Sequence, residues 1–149
     1  MPAADYSISA RSFLPRLFGA AFALNWIWEI GQIFAYSGTV EKSVREMLFF
    51  CTLASAIDAL TILAIYGAAK MFFRLRDWKF YLTTVLLGAL CAVIFEKVAF
   101  VLGWWNYGAR MPVVPVLGVG LLPLIQLPLL TPFAIRIAGM RRAMRRKWI

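Results

Sequence analysis

The sequence predicts an all-α integral membrane protein: four transmembrane helices, both termini cytoplasmic, and a fourth helix broken by Pro and Gly. Three observations carry this. Residues are 62% hydrophobic and 15% charged, where a soluble domain runs at about 45–50% and about 25%. Four apolar runs, at about 13–36, 47–69, 80–102 and 113–135, have the roughly 20-residue length of a bilayer crossing. The cations are placed unevenly. Lys70, Arg74, Arg76 and Lys79 lie between runs two and three, and Arg141, Arg142, Arg145, Arg146 and Lys147 fill a basic tail at 136–149. Arg11 precedes run one and Arg16 lies in its first turn, whereas Lys42, Arg45 and Arg110, with Lys97 near the end of run three, fall opposite. The positive-inside rule then puts both ends and the middle loop in the cytoplasm of a cell whose inner (plasma) membrane holds the protein as a multi-pass chain. Little sequence remains outside the runs, so 1–149 reads as one domain.

Composition also excludes classes. The net charge of +9 is a topology signal and a source of contact with anionic headgroups, so membrane lipids are expected partners. No helix-turn-helix, RNA-recognition or zinc-finger pattern accompanies it, so nucleic acid is not. There is no histidine and there are two cysteines, which disfavours zinc, haem or non-haem iron; no metal or cofactor is expected. Cys51 lies near the outer end of run two and Cys91 near the middle of run three, so both are expected as free thiols.

The first run is too long for the apolar core of a signal peptide and contains Glu29, so no cleaved leader is expected. Pro15 suits a position near its start, and Tyr36-Ser37-Gly38 its end, with the tyrosine at interface depth. Ser43-Val44-Arg45-Glu46 fits a capping box opening helix two. Helix two carries Cys51, Ser55, Asp58 and Ile62 on one face. Helix three repeats Gly88, Ala92, Glu96, Ala99 and Gly103 at three- and four-residue steps, a small-residue stripe that admits a close neighbour. Run four begins with Pro112, Pro115, Gly118 and Gly120, which argues for an extended or re-entrant entry. Pro123, Pro128 and Pro132 are expected to kink the helix beyond that entry.

The chemistry-bearing residues gather at one depth. Asn25, Glu29 and Gln32 are spaced i, i+4, i+7 and share a helix face. With Ser55 and Asp58, Glu96, and Gln126 they place polar groups from all four helices in the outer half of the bilayer. A carboxylate at that depth costs several kcal/mol unless paired, protonated or hydrated. Three such acids close together cannot all ionise, so an acid beside ionised partners is expected, the arrangement proton donation and removal require. Trp28, Trp105 and Tyr107 supply aromatic walls that can stabilise a cation. The structural reading is that the same amides and acids only tie helices together and that the tryptophans are interface anchors. Ser55 has no histidine partner, which excludes a hydrolase triad.

These residues carry two likenesses. Trp28-Glu29, Gln32, Asp58, Glu96, Trp105-x-Tyr107, Met111-Pro112, Pro115-x-Leu117-Gly118-x-Gly120-Leu121-x-Pro123 and Gln126 resemble a group of small, mostly uncharacterised bacterial four-helix membrane proteins. That likeness covers most of the chain and implies a fold without an activity. Glu96, Ala99, Gly103, Trp105, Tyr107 and Pro123 resemble, in their order, a pattern in the lycopene-cyclase domain of membrane carotenoid enzymes. Gln126 stands where that pattern has an acid, and an amide cannot protonate an alkene. The likeness therefore implies an isoprenoid-handling fold, not the cyclisation itself.

The leading expectation is a site that binds an apolar isoprenoid- or lipid-like ligand, or transforms it by isomerase, cyclase or hydratase chemistry. Glu29 and Glu96 would donate and accept protons, with Asp58 tuning them. Asn25, Gln32, Ser55 and Gln126 would orient the ligand, and Trp28, Trp105 and Tyr107 wall it. The alternatives are a non-catalytic subunit of a larger membrane complex, with other membrane proteins or further copies as partners, and a small proton-coupled transporter. The geometric expectation is that Glu29 and Glu96 face each other across the bundle with Gln126 within reach.

Overall fold

The computed structural model describes residues 10–37, 42–75 and 77–145. Gly38, Arg76, Lys147 and the first nine residues lie outside them. The order is α1 (Ala10–Gln32) with a 3-10 turn at Ile33–Ala35, α2 (Val44–Phe72), α3 (Trp78–Val101), β1 (Val113–Val114), β2 (Val119–Gly120) and α4 (Leu121–Arg145). All four helices are long and apolar enough to cross a membrane. Each packs on its neighbours in a ring, α1 on α2 and α4, and α3 on α4 and, more sparingly, α2, so α1 and α3 sit on a diagonal.

Local chemistry explains the helix ends. Ser43 accepts from the Glu46 N–H at 3.3 Å while Glu46 accepts from the Ser43 N–H at 2.9 Å, completing the capping box on α2. Asp77 accepts from the Lys79 N–H at 3.0 Å and starts α3. At the other end of α3, Gly103 adopts φ 66°. Its N–H donates to Phe100 O, and the Trp104 N–H donates to Ala99 O. This is a Schellman stop, which needs a residue at ease in the left-handed region. Gly103 therefore ends the helix instead of extending the small-residue stripe.

Run four does not begin as a helix. Val113 pairs with Gly120 and Val114 with Val119, antiparallel, around a turn closed by Gly118 at φ 60°. Gly118 N–H donates to Val114 O at 2.8 Å, and Leu121 N–H to Pro112 O at 2.7 Å. The hairpin feeds α4, in which Pro123 occupies the first turn, where no intrahelical N–H is needed. Helix α4 then runs on through Pro128 and Pro132.

Helices α3 and α4 approach closely at Gly88. A Cβ there would meet Pro128 N at 2.9 Å and Leu127 C at 3.0 Å. Gly88, Ala92, Glu96 and Ala99 are all buried along this seam, as small-residue packing between membrane helices requires. Phe13, Leu17, Ile62, Tyr66 and Phe80 form an apolar core toward the α1 N-terminus. The buried polar groups Asn25, Gln32, Ser55, Glu96 and Gln126 stand mainly toward the hairpin.

Candidate functional site

The site is built on Gln126. One helix turn into α4 and 3% exposed, it reaches three acceptors with a single nitrogen. Its Nε2 donates toward Asn25 Oδ1 at 3.0 Å, Glu29 Oε1 at 2.8 Å and Asp58 Oδ2 at 2.8 Å. Its Oε1 accepts from Gln32 Nε2 at 3.0 Å. Helices α1, α2 and α4 are thus joined through one amide.

The direction of this network is set by a donor that cannot reverse. The Trp28 indole N–H can only donate, and it donates to Gln32 Oε1 at 3.0 Å. The nitrogen of Gln32 is therefore turned away, toward Glu29 Oε1 at 3.0 Å and the Gln126 oxygen. That in turn points the Gln126 nitrogen at the acids. At the far end, Asn25 commits its own Nδ2 to Ala21 O at 2.8 Å, which leaves its oxygen facing Gln126. Donation runs one way, from Trp28 through two glutamines to Asn25, Glu29 and Asp58. An amide nitrogen has two hydrogens, and three acceptors compete for them. The centre therefore holds more acceptor oxygens than that nitrogen has hydrogens to give them.

Glu96 occupies a second, aromatic compartment. It is 4% exposed and accepts from the Tyr107 hydroxyl. That hydroxyl also accepts from Gly120 N–H at 2.5 Å, so it ties the acid to the base of α4. Burial, and after it the Glu96 carboxylate, push the Tyr107 phenol above its ordinary value, which keeps it a donor. Tyr36 and Trp105 lie against the same acid. Their rings meet edge to face at 6.1 Å, and Phe100 meets Tyr107 the same way at 4.7 Å. The Trp105 indole N–H is buried beside Glu96; among the described residues it is the one buried side-chain polar atom without a hydrogen-bond partner. Glu96 lies within electrostatic range of Glu29 and Asp58.

The loop before the hairpin closes this end. Ser37 N–H donates to Asn106 O and Gly108 N–H to Ala35 O, each at 2.9 Å, so Tyr36 and Tyr107 form a bridge. A Cβ on Gly108 would sit 3.2 Å from Ala35 O, and one on Gly120 2.7 Å from Met111 Sδ. Glycine at both positions lets backbone lie directly on backbone and on Met111.

Of the residues expected at the site, Asn25, Trp28, Glu29, Gln32, Asp58 and Gln126 meet in the amide centre, and Glu96, Trp105 and Tyr107 in the aromatic compartment. Ser55 is buried but donates to Cys51 O of its own helix at 2.6 Å, and no hydrogen bond links it to either group. Tyr36 is the residue not expected there. It extends the α1 face by one further step, Asn25, Glu29, Gln32, Tyr36, which is the signal that could have found it. Both cysteines are free thiols. No group of acids and cysteines among the described residues could hold a metal ion.

No protein-family model matches the chain, and no curated protein and no solved structure is detectably similar to it.

Proposed function

We propose that this is a multi-pass plasma-membrane protein, with both termini cytoplasmic, whose buried acid, amide and aromatic groups hold an apolar isoprenoid- or lipid-like ligand. The carrying observation is the one-way hydrogen-bond chain that ends on two carboxyl groups at a single amide nitrogen. A network serving only to join helices is satisfied when donors match acceptors; this one has acceptors to spare. An apolar ligand with one polar end suits both compartments. A hydrogen-bond donor on it meets Glu29 or Asp58, and an acceptor meets the unpartnered Trp105 N–H. Glu29, Asp58 and Glu96 around aromatic rings are equipped to move a proton onto and off such a ligand and to stabilise positive charge between the two events. The positive-inside pattern supports the orientation, with the site in the outer half of the bilayer. The cyclase likeness agrees with the ligand class, and Gln126 excludes acid donation from that position.

The test replaces Glu29 and Glu96 singly with Gln. The purified wild type is expected to carry a non-phospholipid ligand detectable by mass spectrometry, and both variants are expected to fold and to lose most of it. Unchanged ligand content in both folded variants would overturn the reading and favour a role limited to holding helices together.

A further inference from the structure

A second site lies at the opposite end of the bundle. Helices α1 and α2 leave a groove of about 410 Å³ lined by Phe13, Leu14, Leu63, Ala64, Tyr66, Gly67 and Lys70. This volume falls within the roughly 300–1,000 Å³ of small-molecule sites. On α2 the lining runs from residue 63 to 70, about 10 Å at the helical rise, or a third of the hydrocarbon core. The groove is apolar except at Lys70, whose Nζ is 5.7 Å from the centroid of the Tyr66 ring. Tyr66 is 5% exposed and fixed by Phe13 at 5.0 Å and Phe80 at 6.1 Å, so the ammonium rests on a rigid floor. Gly67 supplies the space: a Cβ there meets nothing within 4 Å.

We infer that this groove seats one acyl chain of an anionic phospholipid from the cytoplasmic leaflet, with Lys70 on its phosphate. Charge complementarity selects the occupant. An apolar trough at chain depth ends in a cation that opens the basic connection Lys70, Arg74, Lys79. A zwitterionic lipid would set its own ammonium beside Lys70. The inference rests on the reading that the helices cross the bilayer with that connection cytoplasmic.

The experiment uses the full chain in nanodiscs of equal phosphatidylglycerol and phosphatidylcholine, released into mild detergent, with retained lipid counted by native mass spectrometry. Wild type is expected to keep phosphatidylglycerol preferentially. A membrane-surface cation contributes about fivefold in lipid affinity, so Lys70→Gln is expected to lower that preference by about as much. Gly67→Leu adds bulk to the trough at a position where a Cβ meets nothing within 4 Å and is expected to lower retention of both lipids. Neither change touches Glu29, Glu96 or Gln126, so the non-phospholipid ligand should persist in both, which separates failure of this inference from failure of the proposed function. Equal retention of the two lipids by wild type, or unaltered retention in both folded variants, would overturn the inference.

Discussion

Replacing Gln126 with Leu removes the hub of the polar centre while nearly preserving volume. The side chain contacts Asn25, Glu29, Asp58 and Gln32. Its nitrogen carries two hydrogens, so the network amounts to two donated bonds and one accepted bond. Interhelical hydrogen bonds in membrane proteins average about 0.6 kcal/mol and reach about 1.7 kcal/mol. The loss is therefore expected at about 2–5 kcal/mol, with the upper figure applying if Glu29 and Asp58 are left facing each other without a donor. Reversible unfolding in mixed micelles, titrated with a denaturing detergent, measures it. Gln126→Glu is the informative companion, because it keeps size and polarity but replaces the donating nitrogen with oxygen, and it should destabilise comparably. A loss below about 0.5 kcal/mol for both would refute the reasoning, since the acids would then be satisfied without Gln126.

Other consequences are read by related assays. Gly88→Ala drives a Cβ into the Pro128 backbone and should cost about 1–3 kcal/mol, whereas Gly67→Ala should be neutral or stabilising in the same titration. Tyr107→Phe leaves the Gly120 N–H without its acceptor; amide exchange at Gly120 should accelerate and stability fall by about 1–3 kcal/mol. In a background with Cys51 and Cys91 replaced by Ala, a cysteine at Ser37 should react with an impermeant maleimide in intact cells, and one at Arg74 only after permeabilisation.

The helices were legible because their signals are local. Apolar length marks each span, and Ser43 and Glu46, three residues apart, declare the start of α2. The Asn25, Glu29, Gln32 face was legible for the same reason: helical spacing alone brings the three together. What joins that face to the rest was not. Gln126 meets Asn25 across 101 residues, and nothing in the chain around Leu124-Ile125-Gln126 says that the amide, and not the carboxylates, is the hub. Tyr36 reads as an interface anchor until the loop folds back and pairs it with Tyr107. The prolines and glycines at 112–120 announce irregular backbone, but the hairpin depends on two dipeptides whose pairing no periodicity reveals. Ser55 shows the converse: on the right face at the right depth, it spends its hydroxyl on its own helix.

If the polar centre exists to hold a small apolar molecule, that molecule should travel with the protein. Native mass spectrometry of wild type, gently purified from its own membrane, looks for it without assuming its identity. One recurring non-phospholipid mass is expected, bound at fixed stoichiometry and lost on Glu29→Gln. A protein carrying no such mass, or one that always emerges with a second polypeptide in its place, would contradict the ligand-holding role.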